Sequence, residues 1–79
     1  DEAGLRQVEG QLAEALAVAR AQGAAGWELR CANSLASLLH ARRRGGEAQA
    51  LLAPVLARHE QGQGSADVLA AAALLARLA

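Results

Sequence analysis

Glycine clusters cut this chain into four apolar-periodic segments, and that punctuation restricts it to short helices packed on one another. Gly23 with Gly26, the pair Gly45-Gly46, and Gly62 with Gly64 separate stretches in which apolar residues recur every three or four positions. Glycine closes helices readily because it enters the left-handed conformation without steric cost. In the first segment, 5–22, Leu5, Val8, Leu12, Leu16 and Ala19 form one stripe, with Arg6, Glu9 and Glu14 pointing elsewhere, which predicts an amphipathic helix. Gly10 within it costs about 1 kcal/mol relative to Ala. It is expected to mark either close approach of a neighbouring helix or fraying.

The second segment, 26–44, carries Trp27, Cys31, Leu35, Leu38 and Leu39 on its stripe, with Glu28, Arg30, Ser37 and Arg42 mostly off it; Gly45-Gly46 is expected to close it. The third, 47–60, sets Leu51, Leu52, Val55 and Leu56 inward. Pro54 lacks a backbone donor and crowds the carbonyl of Ala50, which predicts a kink or a first turn ending near Ala53, without a necessary break. A polar, flexible stretch from Gln61 to Gly64 follows, and Ser65 reads as the N-cap of a last helix, 66–79, with Asp67 well placed in its first turn. From Val68 to Ala79 the only charge is Arg77. Such a helix has no ordinary solvated face, so it is expected to be covered or to adhere to something.

The residue types agree. Ala, Leu, Arg, Gln and Glu favour helix, while Ile, Thr, Phe and Tyr are absent and Val is scarce. The expected class is all-α, as tetratricopeptide-like antiparallel helix pairs with about four helices in one domain. A chain of 79 residues buries only about 60% of its unfolded surface, and a core of Leu and Ala is thin, so stability is expected to be marginal and to need neighbours.

Eight Arg balance eight acids and there is no Lys, so no net field draws the chain to nucleic acid or an anionic membrane. One Cys rules out an internal disulfide, and no Cys/His spacing matches a zinc site; no metal and no cofactor are expected. The longest apolar run, Val68 to Leu75, falls far short of the roughly 20 residues of a spanning helix. A soluble, cytoplasmic chain is expected. The opening Asp1-Glu2 has neither Met nor the blocks of a signal peptide, as expected of a piece cut from a longer protein. Lys-free, Ala- and Arg-rich usage fits a GC-rich bacterial genome.

An internal repeat is visible at an offset of 39 positions, which pairs Leu12 with Leu51, Leu16 with Val55 and Arg20 with His59. Two-helix repeats of about 34 residues (tetratricopeptide) and about 40–47 (armadillo, HEAT) bracket that period. The stretches Leu16-Ala17-Val18-Ala19-Arg20-Ala21-Gln22-Gly23-Ala24, Trp27-Glu28-Leu29-Arg30-Cys31-Ala32-Asn33-Ser34-Leu35-Ala36 and Ala48-Gln49-Ala50-Leu51-Leu52-Ala53-Pro54-Val55 resemble the C-terminal tetratricopeptide-like region of large bacterial signalling regulators. In that family a class III adenylate/guanylate cyclase or DNA-binding domain is joined to a P-loop ATPase and then to helical repeats. The resemblance runs from about Leu12 to the end. It implies an inter-repeat turn at Gly23-Ala24 and a repeat whose helices span Trp27 to Leu39 and Glu47 to Val55. Cys31 stands where a small residue such as Ala is usual, Gly45-Gly46 replaces a more variable turn, and Gln61 to Ser65 lacks the family's aromatic and acidic residues. No cyclase or ATPase motif lies in these residues, so the resemblance implies a parent activity that the piece itself lacks.

No constellation for catalysis is present. The glycines match neither GxxxxGK[ST] nor a strand-to-helix GxGxxG, and Ser34 and Ser37 have no elbow motif or partnered base. His40 and His59 read as surface or helix-end residues, and Cys31 suits a small buried position better than a reactive thiol. Four residues stand out as candidate partner contacts: Trp27, Arg42, Arg43 and Arg44. For Trp27 packing between helices is the favoured reading, and for the arginines complementing the negative end of the second helix. The leading expectation is a non-catalytic scaffold contacting protein, either adjacent repeats of its parent or another chain. The rivals are a small bundle self-associating through its last helix and a fragment of a DNA-binding regulator using Arg42 to Arg44 on phosphates.

Overall fold

The structure is a computed structural model, described for residues 1–59 and 65–79. It is all-α: α1 spans Glu2–Ala21, α2 Ala25–Ala41, α3 Gly45–His59 and α4 Ala66–Leu78. The stretch from 60 to 64, which holds the expected end of the third helix and the polar linker, lies outside the described residues.

The helix boundaries follow from local chemistry. Asp1 starts α1 three residues earlier than the apolar stripe suggests, because its carboxylate accepts the Gly4 N–H at 2.6 Å and so satisfies an orphan donor. Ser65 caps α4 as expected, accepting from the Val68 N–H at 3.1 Å. Pro54 does not end α3, which continues through it to His59; Pro54 and Ala50 are both exposed, so water can satisfy the carbonyl that loses its partner.

The two tight turns share one geometry. After α1, Gly23 (φ 67°) donates to the Arg20 carbonyl and Ala24 to that of Ala19, which is the paired-bond Schellman closure. After α2, Arg43 (φ 63°) donates to His40 and Arg44 to Leu39, the same closure with arginine in the left-handed position. The expected stop at Gly45-Gly46 is thus corrected. The second helix ends at Ala41, not Arg44, and Gly45-Gly46 opens α3, two residues ahead of the expected Glu47.

α2 is the hub. It packs against α1, α3 and α4; α3 and α4 also pack on each other, whereas α1 has no backbone approach to either. The core comprises Leu16 of α1, Leu29, Ala32, Leu35, Ala36 and Leu39 of α2, Ala48, Leu52, Val55 and Leu56 of α3, and Ala71 and Leu74 of α4. The molecule is 18 Å thick at its narrowest, about two helix diameters. The 39-position offset extends to the second helix of each pair: Ala32 corresponds to Ala71 and Leu35 to Leu74, and all four are buried, as are Leu16 and its counterpart Val55.

The stripe of α1 is covered only toward its C-terminal half. Leu16 and Ala19 are its buried residues, whereas Leu5 and Val8, expected inward, are 39% and 45% exposed. On α4, Ala71 and Leu74 face the core and Leu69 stands 60% exposed.

Candidate functional site

An open groove of about 440 Å³ runs between α1 and α2. Its α1 wall is Gln11, Glu14, Ala15, Val18 and Gln22, a flank set beside the stripe of Leu12, Leu16 and Ala19 that seats α1 on α2. Its α2 wall is Trp27 and Cys31, one turn apart. The packing role expected of Trp27 is corrected: the indole is 57% exposed. It is also steadied, because the Arg30 guanidinium lies 5.4 Å from its ring centroid in a cation–π contact, and Arg30 is itself 3.5 Å from Asp67 at the start of α4. Cys31 is half-buried at the groove rather than enclosed.

The arginine triplet is mostly committed within the molecule. Arg42 donates to Glu9 at 2.8 Å and to Glu2, and Arg44 donates to Glu9 at 2.7 Å. Arg44 also forks onto both oxygens of Glu47, at 2.6 and 2.7 Å. Bidentate geometry of this kind is the stronger form of ion pair. Hydrogen bonds to Glu47 and Glu9 hold the Arg44 guanidinium above its ordinary pKa, and the bond from Arg44 holds the Glu47 carboxyl below its own. The pairs tie the N-terminal half of α1 to the turn between α2 and α3. Arg43 has no ion pair among the described residues.

A second polar cluster was missed by reading Glu28 as off the stripe. Glu28 is buried, at 8% exposure, where the C-terminal ends of α1 and α3 meet the start of α2. Its Oε2 accepts from Arg20 at 3.0 Å and Arg58 at 2.5 Å, and its Oε1 lies 3.5 Å from His59 Nε2. Burial pushes the Glu28 carboxyl up, but the hydrogen bonds and charges of Arg20 and Arg58 outweigh it, leaving the pKa below 4.5. A signal was available, since Glu28, Ala32, Leu35 and Leu39 are spaced by four, three and four, which places Glu28 on the buried face. Two of its three basic partners, Arg20 and His59, are themselves an offset pair. Close by, Asn33 donates to the Asp67 carbonyl at 2.9 Å, joining α2 to α4.

No family model, curated protein or solved structure matches the chain. Among the described residues no helix is long and apolar enough to cross a membrane, and no group of three or more His, Cys, Asp or Glu converges as a metal site.

Proposed function

We propose that this chain is a non-catalytic helical-repeat module that binds protein through the groove between α1 and α2. The observation that carries the reading is Trp27: a large aromatic held outward by Arg30, forming one wall of an open groove with Val18 opposite. Aromatic side chains presented this way are the usual anchors of protein interfaces. The paired offset of α1 with α3 and α2 with α4 supports a tetratricopeptide-like repeat array. The resemblance to the C-terminal region of bacterial signalling regulators supplies the setting, a scaffold within a multidomain cytoplasmic regulator. The nucleic-acid alternative loses support because Arg42 and Arg44 already spend their donors on Glu2, Glu9 and Glu47.

Selection of helical peptides against the folded chain tests the groove. Binders are expected to quench or shift the emission of Trp27, the single tryptophan, and to weaken at least tenfold against Trp27→Ala and Val18→Glu, the loss expected at an interface anchor. Binders indifferent to both substitutions would place the interaction elsewhere and defeat the reading.

A further inference from the structure

We infer that the occupant of the Trp27 groove is α4 of a second copy of this chain, so that copies stack head to tail. The inference rests on the groove being a docking surface and names its partner. Among the described residues, the groove on α1 and α2 presents Val18 and Trp27, and the outer face of α4 presents Leu69 at 60% exposure. They lie on opposite flanks of α2: α1 packs on one side of it, α4 makes its contacts through Arg30 and Asn33, and α1 and α4 never meet. One molecule therefore cannot bring its own α4 into its own groove, but a neighbour can. A contact between two different faces is heterologous and propagates.

Charge selects α4 as the occupant. Beyond Asp67 its only charge is Arg77, and the groove's acid is Glu14; neither is in an ion pair among the described residues. The groove's neighbouring base, Arg30, is occupied by Trp27 and Asp67. Spacing agrees as well. With Leu69 seated between Val18 and Trp27, and α4 antiparallel to α1, Arg77 lies about 12 Å along its helix, while Glu14 lies about 6 Å from Val18 along α1. Helical side chains lean back toward the N-terminus of their helix, and an extended arginine covers the remainder. The exposed alanines of α4, Ala70, Ala73 and Ala76, permit close approach of the helix to the groove walls.

Complementation between two crippled copies tests this directly. Sedimentation of the intact chain is expected to show weight-average mass rising from 8.1 kDa with concentration and without a closed end-point, accompanied by a blue shift of Trp27 emission. Leu69→Glu removes the knob and leaves the groove; Trp27→Ala, or independently Val18→Glu, removes the groove and leaves the knob. All three positions are exposed, so helicity is expected to be unchanged. Each variant alone is expected to remain at monomer mass, and an equimolar mixture of a knob variant with a groove variant to form a dimer of twice that mass and nothing larger. A chain that stays monomeric at every concentration, a mixture that fails to dimerise, or self-association lost with Leu69→Glu but kept in Trp27→Ala and Val18→Glu would each overturn the proposal. The last outcome would mean that α4 pairs with α4. Peptide binding at the groove that persists in a strictly monomeric chain would defeat the self-stacking while leaving the proposed function standing.

Discussion

The two helix pairs, α1 with α2 and α3 with α4, share a frame at an offset of 39 positions and differ in what fills it. In the second pair α3 sets Ala48, Leu52, Val55 and Leu56 into the core, four buried residues in a helix of 15. In the first, the 20 residues of α1 bury only Leu16 and Ala19. α1 is held in compensation by ion pairs, through Glu2 and Glu9 at one end and Arg20 at the other. The outer faces differ in the opposite sense. The groove residues Gln11, Glu14, Ala15, Val18, Trp27 and Cys31 correspond to Ala50, Ala53, Pro54, Ala57, Ala66 and Ala70, so the second pair offers a smooth alanine surface where the first has walls and an indole. Core burial is concentrated in α3 rather than α1, and the open groove lies in the first pair. On the proposed function, a helix that binds through its flank can be seated on few core contacts, because a bound partner would complete the burial.

The sharpest way to break this contrast is to truncate one core leucine in each pair. Leu52 is fully buried and Leu16 is 3% exposed at the edge of the core. Leu52→Ala is expected to cost about 3–5 kcal/mol, the upper part of the range for such truncations, because its surroundings are closed on all sides. In a chain this small that is enough to abolish the cooperative transition. Leu16→Ala is expected to cost about 2–3 kcal/mol and to release α1 alone. Urea unfolding followed by circular dichroism gives the two values. Amide exchange would then show α1 opening while α2 to α4 stay protected. Equal losses of protection across all four helices in Leu16→Ala would show that the pairs are one unit.

Glu28 is the seam between the pairs, and its effect is smaller and depends on pH. Its folded pKa is depressed below 4.5, so the stabilisation is fully present above that value and is lost as pH falls below it toward the folded pKa, where the carboxylate takes up its proton. Glu28→Gln is expected to cost about 1–2 kcal/mol at neutral pH. The figure sits low for a buried acid because Arg20 and Arg58 are about half exposed and water screens and re-solvates them. The substitution should also flatten the stability profile below pH 4.5 relative to the parent chain. An unchanged profile would assign the acid dependence to other carboxylates.

The helices were legible because their cause is local. Three-and-four spacing, glycine punctuation and Ser65 all act within a few residues, and the core positions of α3 follow from the stripe of Leu52, Val55 and Leu56. What was not legible depends on neighbours. Nothing local tells that Arg43, rather than Gly45, takes the left-handed position; the closing bonds to His40 and Leu39 and the pairing of Arg42 and Arg44 to α1 fix it there. Trp27 was read inward because size argues for burial, yet α2 spends its inner face on three other helices and Trp27 falls on the fourth side. Glu28 was read outward because charge argues for solvent, yet three basic side chains from two other helices converge on it.

The smallest expected effect probes why α1 is the looser member. Gly10 lies mid-helix and a Cβ built there meets nothing within 4 Å, so of its two expected roles the close approach of a neighbour is excluded. Its counterpart in α3 is Gln49, an ordinary helix former. Gly10→Ala therefore removes conformational freedom from the unfolded chain without a steric penalty in the folded one, and is expected to stabilise by about 0.5–1 kcal/mol. The gain should be confined to exchange protection in the first half of α1, which holds the half-exposed Leu5 and Val8 and reaches the rest of the molecule mainly through Glu2 and Glu9. If Gly10→Ala instead raises protection in α3 and α4 equally, the ion pairs from Glu9 to Arg42 and Arg44 couple the two pairs tightly enough that α1 does not open by itself, and the division into a well-buried α3 and a loosely seated α1 fails at that joint.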